Sequence, residues 1–193
     1  MGRGPGFVSR WNGSSWTPYA GAPDDYSGPV VLDGSDLPIV LAGNRLSRWT
    51  GSSWTSPQGT GVYGLAVNST DDGIGLEVDS NGTIQPLALS KAGVLSNYVP
   101  GLAGESVQSI GFFGIAIDNL DEPVIAWSSY FGGTAPSYAQ VHVARWTGAK
   151  WDQGFGVLAN SSNFALAVAG DAVPIVAWQD FAGPTTHVSK SNH

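Results

Sequence analysis

The chain has 193 residues, a length that accommodates one large domain or two small ones. Only 12% of the residues are charged, and 27 glycines and 12 prolines supply turns between apolar segments. The formal net charge is −7 with 8 lysines and arginines, so the clustered cations that bind nucleic acid or anionic lipid are missing. No segment approaches the roughly 18 apolar residues that span a bilayer. We therefore expect neither a nucleic-acid partner nor membrane insertion, and the lack of cysteine excludes disulfides and thiolate chemistry.

A tryptophan motif, R-W-[NT]-G-x-x-W, occurs three times, at residues 10–16, 48–54 and 145–151. Each copy is typical of a strand, a four-residue turn and a second strand, which we label strands C and D. Residues that flank a hairpin turn face each other across the two strands. The motif therefore predicts three cross-strand pairs that form a repeat scaffold: Trp11/Trp16, Trp49/Trp54 and Trp146/Trp151.

A second motif precedes or follows each tryptophan motif and combines an Asp-rich turn with an apolar run. Its copies are LDGSDLPIVLA from Leu32, AVNSTDDGIGLEV from Ala66, AIDNLDEPVIAW from Ala116 and AVAGDAVPIVAW from Ala167. Each predicts a strand A, a turn and a strand B. Proline is compatible with the first position of strand B, because the backbone N–H at that position does not have to donate a hydrogen bond within the sheet.

The order of elements along the chain is C-D, then A-B-C-D three times, then A-B-C. Four-stranded units of about 40–50 residues are typical of propeller blades. We expect an all-β fold: a β-propeller of about four four-stranded antiparallel blades, or part of a larger propeller. The whole chain, residues 1–193, is predicted to be one repeat domain, with repeats at about 1–28, 29–61, 62–109, 110–163 and 164–193.

The incomplete first and last units predict a ring closure. The strands from Phe164 to about Lys190 would pair with the hairpin strand near Trp11 to Tyr19, because both present unpaired edges. The partner strand comes either from the same chain or from a second copy.

The candidate binding site lies in the connections from B to C and from D to A, which vary in length, at residues 17–28, 128–140 and 179–186. Long loops on a rigid scaffold concentrate binding residues. Aromatic rings stack on the apolar faces of sugars, and carboxylates accept hydrogen bonds from sugar hydroxyl groups. The candidate ligand-binding residues are Tyr19, Asp25, Tyr26, Tyr130, Phe131, Tyr138, Asp180 and Phe181. The alternative is that these aromatics plug the ends of the blades, and that the tryptophans pack between blades.

Catalytic and metal-binding motifs are missing from the sequence, so we expect no catalytic residue, no metal and no cofactor. The carboxylates of DNLDE, at residues 118–122, do not have the spacing of an EF-hand and are interpreted as a solvated acidic turn. His142 and His187 occupy equivalent positions in strand C and are expected to be satisfied locally rather than to bind zinc.

Taken together, the R-W-N-G-S-S-W hairpin and the x-P-[IV]-V-A-W strand resemble the Trp-rich propeller repeats of bacterial and phage surface proteins. Phage tail and fibre proteins also carry W-N-G-x-x-W turns. The resemblance implies a propeller fold and an extracellular, cell-surface or virion location. The expected function is non-catalytic, lectin-like recognition of a glycan or protein ligand. The alternatives are a structural or adhesion subunit whose ring is completed by homo-oligomerisation or neighbouring chains, and a glycoside hydrolase.

Overall fold

The computed structural model of the chain describes residues 8–23, 26–102, 110–131, 138–155, 157–159, 164–179 and 185–190. Within these ranges the regular secondary structure consists of strands, so the protein is all-β. The described residues contain no helix that is long and apolar enough to cross a membrane.

The described strands form five antiparallel sheets, each built from strands that are neighbours in the sequence. The first sheet is a hairpin of β1 (Ser9–Trp11) and β2 (Trp16–Pro18). The second contains β3 (Tyr26–Leu32), β4 (Pro38–Ala42) and β5 (Arg45–Arg48). The third contains β6 (Val62–Val67), β7 (Gly73–Val78), β8 (Ile84–Leu89) and β9 (Leu95–Asn97).

The last two sheets follow the same plan. The fourth contains β10 (Ile110–Ile117), β11 (Pro123–Phe131) and β12 (Tyr138–Trp146), with β13 (Trp151–Asp152) and β14 (Val157–Ala159) both paired to β12. The fifth contains β15 (Phe164–Val168), β16 (Pro174–Gln179) and β17 (Thr186–Lys190). Each sheet falls within one predicted repeat, except that β3 begins at Tyr26, slightly before the expected boundary at 28.

The chain divides into two compact units, Met1–Glu77 with Leu87–Tyr98, and Val78–Pro86 with Val99–His193. The described strand β2 pairs with β1 and the described strand β17 pairs with β16. The ring closure between the first hairpin and the last sheet therefore stays a prediction.

The A–B turns share one backbone geometry, as the repeated Asp-rich motif predicts. In the first of them Asp33 N–H donates to Leu37 O and Asp36 N–H donates to Asp33 O, and the Asp33 Oδ1 atom accepts from the N–H groups of Ser35 and Leu37. The fourth residue of the turn has a positive φ, as in a type I turn followed by a bulge. The residues at this position are Asp36, Asp71, Asp121 and Ala172, with φ between 58 and 68°.

Ala172 is the one of these four residues that lacks a side chain able to hydrogen-bond to its own backbone, so its φ of 61° is strained. We expect Ala172→Gly to raise the free energy of unfolding by about 1 kcal/mol, because glycine adopts a positive φ without a Cβ clash. Urea denaturation measures this. The matched control is Ala165→Gly in β15, where the same exchange should destabilise by about 0.5–1 kcal/mol. Equal changes in stability at the two positions would show that the backbone of Ala172 is not strained.

The predicted loop between Ser128 and Gln140 is shorter than expected, because the flanking strands continue into it. β11 extends to Phe131 and β12 begins at Tyr138, and these two residues are directly opposite each other in the ladder. The aromatic residues favour strand structure, whereas the residues that break strands are confined to GGTAP at 132–136. The segment that we predicted as a binding loop is therefore in large part a hairpin.

In the first unit, a core cluster lies on one side of the β3–β5 sheet, and Pro38, Val40 and Ala42 on the opposite side are also buried. The residues of this cluster pack against β6, β8 and β9, and we call the side of the β3–β5 sheet on which the cluster lies its front and the opposite side its back. The front residues are Val31, Ile39, Leu41 and Leu46, and they contact Val62, Leu65, Val67, Leu87, Leu89 and Leu95. The approach is close, because a Cβ added to Gly73 would lie 2.8 Å from Ile39 Cγ2.

In the second unit, the core has the same construction. The front of the β10–β12 sheet carries Gly114, Ala116, Val124, Ala126 and Val143, which are opposite one another in the ladders. It packs against the back of the β15–β17 sheet, formed by Phe164, Leu166, Val168, Val176 and Trp178. In both units, therefore, the front of one sheet is buried by the back of the sheet that follows it.

Candidate functional site

The three predicted tryptophan pairs are all present as cross-strand neighbours. Their ring centroids are 5.6 Å apart in each pair, and the rings are tilted or edge-to-face. In the second copy the two residues form an isolated bridge rather than regular strands. The glycine after the first turn residue has a positive φ in each copy, at Gly13, Gly51 and Gly148, which explains the invariant Gly of the motif within this chain.

The first pair differs from the other two in its exposure. Trp11 is 50% exposed and Trp16 is 67% exposed, whereas both members of the other pairs are only partly exposed. The turn that carries this pair is held by Asn12, whose Oδ1 atom accepts from the N–H groups of Ser14 and Ser15 and from the Ser14 hydroxyl. The two indole rings therefore form a fixed aromatic surface with hydroxyl and amide groups beside it.

The second and third pairs are covered by the chain segment that follows a strand D. Tyr19, which follows β2, lies with its ring 5.3 Å from the ring of Trp49 and 6.2 Å from that of Trp54. In the third pair, Trp151 Nε1–H donates to Pro100 O, which follows β9, at 2.8 Å. Tyr19, one of the predicted ligand-binding residues, thus contacts the second tryptophan pair.

The other predicted binding residues are only partly described. Tyr26, Tyr130, Phe131 and Tyr138 lie at the ends of β3, β11 and β12, and only their backbone is described. Asp25, Asp180 and Phe181 lie outside the described residues. In the backbone, Phe131 and Tyr138 are brought together as a cross-strand pair, with Tyr130 beside them opposite Ala139.

Ion pairs that the sequence analysis missed hold the A–B turn in four sheets. The cation lies at the R-W position or its equivalent at the end of strand C in the pairs Arg48–Asp33, Arg145–Asp118 and Lys190–Asp171, and in the turn after β8 in the pair Lys91–Asp71. The co-occurrence of an Asp in the A–B turn and a cation before the first Trp was the available signal. The Arg48 and Arg145 pairs attach the Asp-rich turn to the tryptophan hairpin.

The acidic turn DNLDE is not fully solvated as predicted. The Asp118 side chain is buried, and its Oδ2 atom accepts from Arg145 Nε and Nη2 at 3.0 and 2.7 Å. Arg145 Nη2 also donates to Glu122 at 2.7 Å. One arginine thus neutralises two of these carboxylates, and the described residues contain no group of three or more side chains suited to hold a metal ion.

The exposed ion pairs alter the acid–base behaviour of two aspartates. The hydrogen bond from Lys91, followed by that from the Gly34 N–H, lowers the pKa of Asp71. The hydrogen bond from Lys190 lowers the pKa of Asp171 in the same way. Because each pKa is lower in the folded protein, each carboxylate stabilises the fold above its unfolded pKa of about 3.9. That stabilisation is lost as the pH falls through the lowered pKa that the carboxylate has in the folded protein.

We therefore expect Asp171→Asn to reduce the fall in melting temperature between about pH 5 and pH 3, relative to the unmodified chain. Lys190→Met should have the same effect, because it removes the group that lowers the pKa of Asp171. Lys150→Met removes an exposed lysine from the turn after β12 and serves as the control. Calorimetry at the two pH values measures the difference, and an unchanged slope in Asp171→Asn would contradict it.

The two internal histidines occupy equivalent places, as predicted. His142 stacks on Trp127 and His187 stacks on Trp178, with centroids 5.1 and 5.2 Å apart, and each pair is directly opposite in its ladder. Ser129 Oγ lies 2.7 Å from His142 Nε2. A serine and an imidazole at this distance can act as nucleophile and base, but Ser129 is buried at 7% exposure. The repeated stack indicates a scaffold role for both histidines.

No protein-family model matches the chain, and no curated protein matches its sequence.

Proposed function

We propose that the chain is a non-catalytic repeat module of β-propeller type that binds carbohydrate. The observation that carries the proposal is the exposed Trp11–Trp16 pair on a hairpin braced by Asn12. The long connections at residues 17–28, 128–140 and 179–186 are proposed as additional contacts. An extracellular, cell-surface or virion location follows from the same proposal.

The geometry of the first hairpin suits a sugar ring. An indole ring offers a flat apolar face, and such a face pairs well with a ligand that is apolar on one side and polar around its edge. Arg10 lies in the same hairpin, next to Trp11, and its side chain is 59% exposed beside Asp36. Charged and hydroxyl groups next to an aromatic face supply hydrogen bonds that orient a ligand.

The choice of the first pair rests on comparison with the other two. Tyr19 lies against Trp49 and Trp54, and Trp151 donates its indole proton to Pro100. These contacts within the protein account for the tryptophans at those positions, and no ligand is needed to explain them. For Trp16, with two thirds of its surface exposed, packing within the described chain does not supply such an explanation.

The blade arrangement that we propose extends the observed sheets. Sheets of three to five strands stack front to back in both units, as blades do in a propeller. A four-bladed ring or a segment of a larger ring would present the A–B and C–D turns on one side and the long connections on the other.

Glycan binding tests the proposal, with a glycan array followed by calorimetric titration of the best glycan. We expect Trp16→Ala or Trp11→Ala to weaken binding about tenfold, equivalent to about 1.4 kcal/mol, because each removes a stacking face. The control is Leu120→Ala, which removes an equally exposed apolar side chain from an A–B turn, at 66% exposure.

Loop variants separate the two proposed contact surfaces. Asp25→Asn and Asp180→Asn remove carboxylates from the long connections while leaving the hairpin intact. Binding that is lost in these variants but retained in Trp16→Ala would contradict the stacking surface. A failure to bind any glycan at millimolar concentration would contradict carbohydrate recognition altogether.

A second candidate function, a structural or adhesion subunit of a virion or cell-surface assembly, is favoured by a different observation. On one face of the β15–β17 sheet, Ala165, Ala167 and Val188 are exposed, Val188 at 70%.

A further inference from the structure

Two Asn-Gly dipeptides lie in turns of this chain, Asn12-Gly13 in the first tryptophan hairpin and Asn81-Gly82 between β7 and β8. In such a pair the glycine nitrogen can attack the carboxamide carbon of the asparagine side chain, because the glycine has no Cβ to obstruct the approach. The attack forms a five-membered succinimide ring and releases ammonia. The surroundings of the two pairs differ in the groups that promote or oppose this reaction.

The carbonyl oxygen of the Asn12 side chain is surrounded by hydrogen-bond donors. Asn12 Oδ1 accepts from the N–H groups of Ser14 and Ser15 and from the Ser14 hydroxyl, and each of the three distances is 2.9 Å. Negative charge develops on this oxygen when a nucleophile adds to the carboxamide carbon. Donors that are already directed at such an oxygen stabilise the transition state of the addition. The turn therefore provides oxyanion stabilisation for its own asparagine.

The attacking nitrogen lies in the same turn. Because Asn12 Oδ1 is bonded to the N–H groups two and three residues ahead, the side chain folds back over its own main chain, beside the Gly13 nitrogen. Within the described part of the chain the Gly13 N–H donates no hydrogen bond, and a Cβ added to Gly13 would meet nothing within 4 Å. Both residues are exposed, so water reaches the site.

The second Asn-Gly pair has the opposite arrangement. Gly82 N–H donates to Asp79 O at 3.0 Å, so the nitrogen that would attack is already engaged. Asp79 Oδ1 accepts from the N–H groups of Asn81 and Thr83 at 2.8 and 2.9 Å, and it takes the place in this turn that Asn12 Oδ1 has in the hairpin. Among the described residues no donor is directed at Asn81 Oδ1, and the neighbouring Asp79 carboxylate opposes a second negative charge.

We propose that Asn12 is a self-modifying residue, whose carboxamide is converted through a succinimide to aspartate and isoaspartate faster than that of Asn81. The bond that forms joins Gly13 N to Asn12 Cγ, and the bond that breaks is Cγ–Nδ2. The proton lost by the Gly13 nitrogen is transferred through water to Nδ2, which leaves as ammonia. One water molecule then opens either carbonyl of the ring, and nothing is oxidised or reduced.

The two products have different consequences for the hairpin. Aspartate keeps an oxygen that accepts from the N–H groups of the turn, whereas isoaspartate adds one carbon to the main chain. That carbon lengthens the turn whose register places Trp11 opposite Trp16. Isoaspartate should therefore disrupt the exposed aromatic surface and weaken glycan binding as the protein ages. This consequence rests on the proposed carbohydrate recognition, whereas the conversion of Asn12 does not.

Incubation of the full chain in mildly alkaline buffer, followed by proteolysis and tandem mass spectrometry, measures the conversion of each asparagine. We expect Asn12 to convert about tenfold faster than Asn81 in the folded chain, because its oxyanion is stabilised and its nucleophile is free. In urea that unfolds the chain, as circular dichroism checks, both turns are lost and the two rates should become similar. Comparison of the two ratios separates the effect of structure from that of local sequence.

A pair of matched variants tests the role of the donors. Ser14→Ala removes the hydroxyl donor and keeps both N–H donors, so it should slow the conversion of Asn12 severalfold and leave that of Asn81 unchanged. Thr83→Ala makes the equivalent change two residues after Asn81. It should not slow conversion at either asparagine, because the Thr83 hydroxyl does not donate to Asn81 Oδ1.

Equal rates at the two asparagines of the folded chain, or faster conversion of Asn81, would overturn the proposal. So would a ratio of rates that is the same in urea, because the preference would then come from local sequence alone. Conversion of Asn12 that is slower in the folded chain than in urea would show that the turn protects the residue instead. A chain that converts Asn12 but binds no glycan would contradict only the proposed carbohydrate recognition.

Discussion

Replacing Arg48 with methionine should lower the free energy of unfolding by about 3–5 kcal/mol, the usual cost of removing one partner of a buried ion pair. The side chains of Arg48 and Asp33 are 3% and 2% exposed, and Arg48 Nη1 donates to Asp33 Oδ2 at 2.7 Å. Arg48 Nη2 also donates to Asp71 O. Methionine fills a similar volume but leaves the Asp33 carboxylate buried without its counter-charge. Urea denaturation followed by tryptophan fluorescence measures the loss.

The repeat supplies a matched control for this variant. Arg10 holds the same place in the first tryptophan motif, but its pair with Asp36 is 3.5 Å long and exposed, with side chains 59% and 67% accessible. Arg10→Met should therefore change the stability by no more than about 1 kcal/mol. Equal losses from Arg48→Met and Arg10→Met would show that burial of the pair has no bearing on stability.

A double variant distinguishes the effect of the buried Asp33 charge on stability from the effect of the hydrogen bonds that Asp33 accepts in the turn. Asp33→Asn retains an oxygen that accepts from the Ser35 and Leu37 N–H groups and removes the negative charge. Combined with Arg48→Met, it should restore part of the stability that Arg48→Met alone loses, because no buried charge is then left unpaired. A double variant less stable than Arg48→Met alone would contradict this explanation.

Leu46→Ala should destabilise the protein by about 2–5 kcal/mol, the range for leucine truncation in a packed core. Leu46 is fully buried in the front of the β3–β5 sheet, between Leu41 and the side chain of Val62. Because the chain contains two compact units, the loss should fall on the transition of the first unit if the two unfold separately. Chemical denaturation followed by circular dichroism measures it.

Val188→Ala is the control at the equivalent position of the last sheet. Val188 is 70% exposed, so in dilute solution its truncation should change stability by no more than about 0.5 kcal/mol. A large effect of Val188→Ala at low concentration would mean that the residue is buried within a single chain. It would then contradict the exposure of Val188 in the β15–β17 sheet.

Local patterns in the sequence determined the hairpins. The tryptophan pairs are separated by five positions, so a turn of four residues with a glycine is enough to place the rings opposite each other. The Asp-rich turns were predictable for the same reason, since Asp33 bonds to N–H groups two and four residues ahead. The all-β class followed from the alternation of turns and apolar runs.

The exposure of the tryptophan pairs could not be predicted from the sequence, because it depends on residues far away in the chain. The three tryptophan motifs are nearly identical in sequence, yet Trp16 is 67% exposed while Trp54 has a buried indole nitrogen. The difference comes from Tyr19, a contact made across 30 or more positions. Asp118 was expected to be solvated, and only the position of Arg145 on the neighbouring strand shows that it is buried and paired.

The sequence by itself determined which residues form hairpins and how the repeats align, because turn geometry and strand alternation act over a few residues. Only the tertiary structure decided which copy of each repeated residue is buried. The front of each sheet has the same apolar pattern, but burial requires the back of another sheet, and no local signal records whether one is present. That is why Leu46 lies in a core and Val188, at the same place in its repeat, lies on the surface.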